Sequence, residues 1–514
     1  MQLKQKVKLK KRICIFSVMF VGICFIFFKY HSEEVVYQNE LTKEEKIQDF
    51  TQFYTIMCEA MPFLEEVKNT YGIDFVNRKE YYESMITSTN NNAEFYATMQ
   101  AISRDLCSFH TNVCYPLYSN VKGIRGYNAR KTINLKGMKE TQNLWYESLG
   151  KEIKEYSTVD CVSVVYFDGE YVVVDSAVEG VSKGDRLVYV NDVSANEYLI
   201  QNLSLGYICY DGKRKNAYRT QYTFNDSNGD RVSTVWRNEQ GEEFTRELKH
   251  SLMGELIMGY GYLYGEVEEQ TISQTLPTVY SYRDDKKQIE YIRIADFSNN
   301  KGNRVRDIIS EMKYNTVIID LRGNYGGNVA YFQNYIYPYL YSEDFTCNQY
   351  WMTNKSKYNS KMLNNITVSF NEYAEKQNDV VFEIQNKFVG RYEGPEKNIY
   401  YLVDDGTGSA ADFAAMVVKN NNLGILVGEN TRGEGGAQSF ICDYLGNSGL
   451  VFIYYSAIMC SEDGEKMYTP GTEPDVHIAA SYEDYLEKMK YLDSEYESMV
   501  QYDPLLKWIF DNCE

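Results

Sequence analysis

Four short apolar runs constrain the C-terminal half of the chain more than any other feature. They are IEYIRIADF, NTVIIDLRGN, NIYYLVDDG and LGILVGEN, rich in β-branched and aromatic residues and closing on Gly or Asp turns. Between them lie stretches with helical spacing, such as NRVRDIISEMKY and SAADFAAMVVKN. Strands alternating with helices imply a mostly parallel sheet buried on both faces. The reading is therefore an α/β core over residues 275–514. An Asn- and Tyr-rich stretch, 341–395, interrupts the rhythm and reads as an insertion near the functional site or as a lid.

Two further regions precede this core. Residues 30–120 read as a helical N-terminal domain, because LTKEEKIQDFTQFYTIMCEAMPFLEEV places Phe50, Phe53, Ile56, Met57 and Met61 at three- and four-residue spacings. Residues 155–250 read as β-rich. CVSVVYFDGEYVVVDSA alternates apolar and polar residues around an Asp168-Gly169 turn. The following segment resembles a PDZ domain through Gly184, Asp185, Leu187, Val190 and Asn191. Such modules bind extended chain ends by adding a strand to a sheet edge.

The extreme N-terminus bears on location. MQLKQKVKLKKR carries six positive charges and no negative ones, and an unbroken apolar run follows from Ile13 to Phe28. At 1.5 Å per residue that run spans roughly 24 Å, and Lys29 and Tyr30 extend it by snorkelling and interfacial anchoring. No small-x-small cleavage site follows, so residues 1–29 read as a cytoplasmic basic tail and a transmembrane signal anchor. Positive charge stays inside. The expected location is the cell membrane, single-pass, with the remaining domains extracytoplasmic. A cleaved signal peptide is the alternative.

Composition excludes other classes. The net charge of −19 argues against a nucleic-acid partner held through phosphates. Only four His occur, His31, His110, His250 and His477, with no HExxH or CxxC, so neither a metal nor another cofactor is expected. Of eleven Cys, Cys14 and Cys24 lie in the anchor and nine outside, with scattered spacings.

Three segments carry candidate chemistry. In NIYYLVDDGTGSAADFAAMVVKN a strand ends in Asp-Asp-Gly-Thr-Gly and Ser409 opens an Ala-rich helix, which sets a hydroxyl beside free N–H groups at a positive helix end. Ser is also a favoured helix N-cap, the plainer reading. In VIIDLRGNYGGNVAYF a strand runs into Asp320, Arg322, Asn324 and the pair Gly326-Gly327, whose backbone can turn toward a ligand. The third segment, LCSFHTNVCYP, holds His110.

Taken together these segments resemble the C-terminal processing peptidases, the tail-specific and tricorn-related serine peptidases. LCSFHTN resembles the family's D-x-H-T-like motif, NTVIIDLRGNYGGN its D-L-R-x-N-x-G-G, and DDGTGSAADFAA its T-x-S-A-x-E/D nucleophile segment. LGILVGENTRGEGGAQ, YTPGTEPDVHI and YDPLLKWI are similar to its later landmarks, in family order. The resemblance implies a Clp-protease/crotonase-like core and hydrolysis of peptide or protein substrates. It implies Ser409 as nucleophile, and Ala410 N–H with the Gly326-Gly327 backbone as oxyanion hole. One family variant uses a Lys base, but Glu434 stands at that position here. The tricorn-like variant uses an upstream His, and His110 stands there. Its supporting carboxylate is expected just before the G-V-x-P-D segment, where this chain has Tyr468. Glu465 nearby is the first candidate and Glu434 the alternative. The implied activity is that of an endopeptidase acting through an acyl-enzyme. The competing readings are a catalytically impaired relative that binds peptides or scaffolds, and a small-ligand binder on the same core. Sequence leaves the substrate and oligomeric state open.

Overall fold

The core sheet lies in the order of the sequence. The computed structural model describes residues 40–114, 128–129, some positions between 141 and 149, 159–252 except 205, 278–364 except 361, 373–435 except 377, 440–490 and 503–512. Strands β1 (Val279–Asp284), β2 (Ile289–Ile294), β3 (Thr316–Asp320), β4 (Asn398–Val403), β5 (Ile425–Gly428) and β6 (Val476–His477) are adjacent in that order. The β1–β2 pair is antiparallel and each later pair is parallel. Helix Asn299–Ser310 connects β2 to β3 and helix Ala410–Asn420 connects β4 to β5.

Both faces of the sheet are covered, which is why its strands read as unbroken apolar runs. Along β3, Val317 and Ile319 face one cluster with Val305, Ala414 and Val417 from the crossover helices. Ile318 faces the other, against Leu505, Leu506 and Ile509. Those last residues belong to helix Pro504–Asn512, which begins where the sequence breaks before Pro504. Asp503 caps it, its Oδ1 accepting from Leu505 N–H at 3.0 Å. Arg322 ties this helix to β3, with Nη2 at 2.7 Å from Asp320 Oδ2 and Nη1 at 2.6 Å from Asp503 Oδ2.

The upstream helices are Lys43–Ala60, Leu64–Tyr71, Lys79–Thr87 and Asn92–Arg104. They do not form a separate core. Phe50, Phe53, Met57 and Phe95 pack in one cluster with Trp351, Phe382, Phe452 and Tyr454 from far along the chain. Short strand Asn112–Val113 pairs with Val451–Tyr455, Asn112 opposite Ile453. Within 341–395, strands Phe345–Asn354 and Asp379–Phe388 form a long antiparallel pair, flanked by Tyr373–Lys376 and by Ala457–Cys460. This sheet is fastened to the helices, since Asn354 Nδ2 donates to Glu59 O and Asn359 Nδ2 to Ala60 O.

Between Cys161 and His250 runs a seven-stranded sheet, with helix Ala195–Gln201 capped by Ser194 Oγ. Strands form at Gln221–Asn225, Val232–Arg237 and Glu243–His250, and Gly169 turns the first hairpin at φ +99°. A separate hairpin, Ile208–Asp211 with Asn216–Arg219, reaches the helices. The fully buried Arg219 places Nη2 2.6 Å from Asp105 Oδ1, and Arg78 holds the other oxygen at 2.8 Å. Among the described residues no helix is long and apolar enough to cross a membrane. The expected anchor, Ile13–Phe28, lies outside the described residues.

Candidate active site

The strand–helix junction at Ser409 is not an ordinary cap. Ser409 sits at φ 54°, ψ −124°, a conformation that costs a residue with a Cβ, and its hydroxyl makes no capping bond to the helix. Instead Oγ lies 3.0 Å from His110 Nε2. The strained turn aims the hydroxyl away from the helix and toward an imidazole from the N-terminal helices.

Glu434 completes the row. Its Oε2 is 2.6 Å from His110 Nδ1 and also accepts from His110 backbone N–H at 3.1 Å. With Nδ1–H donated to the carboxylate, Nε2 is left as an acceptor for the Ser409 hydroxyl. This arrangement reverses the expected preference between the two acids. Glu465 is exposed in a tight turn, its backbone N–H held by Ser461 Oγ, whereas Glu434 meets the ring. The reason is topological. β4 and β5 are parallel neighbours, so the loops leaving their C-terminal ends run side by side. Gly408 bridges Gly433, and Ser409 N–H donates to Gly433 O at 3.1 Å. Whatever follows Gly433 therefore stands next to Ser409.

Asp412, in the first turn of the Ser409 helix, fixes that second loop. Its Oδ2 accepts from Gly435 N–H at 2.9 Å, and its Oδ1 accepts from Thr472 Oγ1 at 2.7 Å and from Thr431 Oγ1. Burial pushes the Asp412 carboxyl up from its usual range while these hydrogen bonds oppose it. Asp412 stands at the E/D place of the nucleophile motif, but sequence does not say what it holds, because an acid at that helix position also suits the helix dipole. Buried Tyr71 and Tyr455 and half-buried Tyr468 lie around Glu434, and the Tyr455 ring is 6.0 Å from the His110 ring. Tyr468 thus occupies the carboxylate's expected place in sequence while a different loop supplies the acid.

The glycine pair divides its work. Gly326 N–H donates to Asn324 Oδ1 at 2.8 Å, so it is not available to a ligand, which corrects its expected place in the oxyanion hole. A Cβ on Gly326 would stand 2.7 Å from Ser409 Cβ and 2.8 Å from Ala410 N, so its role is to let the loops approach. Phe297 N–H donates to Gly326 O, and Asn328 N–H donates to Phe297 O. The intervening Gly327 N–H consequently points away from Phe297. Among the described residues neither Gly327 N–H nor Ala410 N–H has an acceptor. Buried Asn324 anchors the pair, its Nδ2 donating to Ile294 O at 2.8 Å while its backbone O accepts from Gly408 N–H at 2.9 Å.

The other described histidines stand elsewhere. His250 packs among Tyr198, Tyr222 and Phe224, and burial lowers it to about 4. His477 lies on edge strand β6 beside Gly428. Among the described residues no group of His, Cys, Asp and Glu could hold a metal ion.

A nucleophile at a strained strand–helix turn, an imidazole, a carboxylate and two uncommitted amides are the parts of an acyl-transfer centre. Residues 288–478 match the sequence profile of Peptidase family S41. That match covers less than half of the chain. The chain is 27% identical over 236 residues to the carboxy-terminal processing protease CtpA of Bacillus subtilis (strain 168), covering 45% of this chain and 43% of CtpA. The chain thus spans less than half of that relative's length. A crystal structure of mutant CPAF superposes with a TM-score of 0.50 at 14% identity, covering 91% of this chain and 98% of CPAF, which shows a shared fold. All three residues that meet at the site, His110, Ser409 and Glu434, fall within or ahead of the S41 segment, with His110 supplied from outside it.

Proposed function

We propose that the protein is a serine endopeptidase that cleaves peptide or protein substrates through an acyl-enzyme. The observation that carries this reading is the continuous contact from Glu434 through His110 to Ser409. Ser409 Oγ attacks the peptide carbonyl while His110 Nε2 takes its proton. Glu434 holds the ring's tautomer and balances the imidazolium. The oxyanion develops against Gly327 N–H and Ala410 N–H. His110 then protonates the leaving amine, and water hydrolyses the ester with His110 again as base.

The absence of a Lys at position 434 and of a carboxylate just before Gly471 is the evidence for the alternative, a catalytically impaired relative. Glu434 in contact with the imidazole counts against that alternative. CtpA's name, a carboxy-terminal processing protease, and the PDZ-like sequence of residues 155–250 favour a substrate held as an extended chain. The Clp-protease/crotonase-like description of the core belongs to the same reading. So does a membrane-anchored, extracytoplasmic location, which rests on the basic flank before Ile13.

Cleavage of an unstructured protein by the purified chain tests the activity. His110→Ala and Ser409→Ala should each remove nearly all turnover, and the double variant should be no worse, since groups acting as one unit are not additive. Near-wild-type turnover by His110→Ala would refute the assigned base. Protease shaving of intact cells tests the location, and a fully protected C-terminal tag beside digested surface controls would refute it.

A further inference from the structure

Among the described residues, Arg432 borders the site without a carboxylate in salt-bridge contact. Arg432 lies two residues before Glu434, and its backbone N–H donates to Thr407 O at 2.9 Å, beside the loop that carries Ser409. Three rings enclose its guanidinium, with centroids at 4.9 Å for Tyr207, 5.4 Å for Tyr325 and 5.7 Å for Phe109. Nε donates to the Asp405 carbonyl at 2.8 Å. Among the described residues its Nη groups have no oxygen acceptor, and the Cys209 thiol is their polar neighbour.

The surrounding acids are otherwise engaged. Asp405 acts on Arg432 only at longer range, and its Oδ2 accepts from Tyr218 Oη at 3.5 Å. Burial pushes the Asp405 carboxyl toward its neutral form. Asp404 is occupied by the N–H groups of Gly323 and Gly406. Glu434 is turned to His110.

The cage also borders Ser409 and His110 through two of its rings. Tyr325 is 57% exposed and directly precedes Gly326, which packs on Ser409. Phe109 directly precedes His110, and its ring meets Tyr325 at 5.9 Å. Rings that cover the faces of a guanidinium hold it flat and dry, and leave its edge to bind a planar carboxylate in two parallel hydrogen bonds. A chain of net charge −19 repels acidic ligands as a whole, so one unpaired cation at the site gives a local preference.

We infer that Arg432, framed by Phe109, Tyr207 and Tyr325, is a subsite for a carboxylate of the substrate close to the bond that Ser409 attacks. This rests on the peptidase reading and adds its specificity. The carboxylate comes either from an Asp or Glu side chain or from the chain's own C-terminus.

Three matched fluorescent peptides distinguish the sources in the full chain. One is neutral with an amidated end, one is the same with a free end, and one carries an internal Glu with an amidated end. Binding to the Ser409→Ala protein is read by anisotropy, and cleavage by the wild type is read as kcat/KM. One carboxylate peptide should bind and be cleaved about tenfold better than the neutral amide. Arg432→Gln should remove that ratio, Arg432→Lys should keep part of it, and Arg432→Glu should invert it. Equal handling of all three peptides by the wild-type site overturns the subsite. So does an equal loss on all three in Arg432→Gln, which would mark a structural pillar. If Arg432→Gln does not fold, the three-peptide comparison and Arg432→Lys decide the same question. If the wild type cleaves nothing, the peptidase reading fails, while anisotropy on Ser409→Ala still decides the subsite.

Discussion

The Glu434 carboxylate binds His110 twice through one oxygen, at the ring Nδ1 and at the backbone N–H. It therefore fixes both the position of the residue and the orientation of its ring. Glu434→Gln should lower kcat on the order of 10³- to 10⁴-fold with little change in KM, because a neutral amide stabilises neither the tautomer nor the imidazolium. Glu465→Gln should remain close to wild type. Steady-state kinetics on one substrate compare them, and the opposite ranking would return the supporting role to Glu465.

Asp412 acts on this pair through the backbone. Its Oδ2 holds Gly435 N–H and its Oδ1 holds Thr472, so it closes the loop that presents Glu434. Asp412→Ala should lower kcat, while Asp412→Asn, which keeps an acceptor oxygen, should recover part of the loss. Equal loss in both variants with a lowered Tm would mean general destabilisation instead of positioning.

How much of this was legible depended on the range of each signal. Ser409 and His110 stand in local motifs, and the core strands alternate with helices in plain order. Sequence ranks Glu465 ahead of Glu434 because the nearness of Glu434 to His110 follows from the parallel pairing of β4 with β5. Gly326 and Gly327 are equivalent in sequence. Only the Asn324 side chain, which occupies one amide and leaves the other, separates them. The shared core of the N-terminal helices with Trp351, Phe382 and Phe452 was equally hidden, since hydrophobic spacing shows which face is buried and not what covers it.

Gly326 admits no side chain. It sits at φ +95°, and a Cβ there would collide with both Ser409 and Ala410 N. Gly326→Ala should therefore abolish turnover while leaving the far-UV spectrum unchanged. A Gly326→Ala protein with wild-type kcat would show that the loops tolerate separation and that this close approach is incidental.

Asp320 links acid sensitivity to the fold. Burial opposes its charge, yet Arg322 holds the carboxyl down at about 2. A folded pKa below the unfolded value of about 3.9 gives stability that is complete above that value and is lost as pH falls through about 2. Asp320→Asn should flatten the pH dependence of unfolding over that window. It should also cost about 3 kcal/mol at neutral pH, because among the described residues Asp503 is then the one carboxylate left to Arg322. Urea denaturation across a pH series measures both, and an unchanged slope would show that the pair does not set acid stability.

The central claim is that Ser409 is a nucleophile activated by His110. Labelling the purified chain with a fluorophosphonate probe, read by intact mass and peptide mapping, tests it most directly. The account predicts one adduct per chain, on Ser409, formed far more slowly in His110→Ala and absent in Ser409→Ala. An adduct on another residue, or labelling of Ser409 at an unchanged rate without His110, would contradict it.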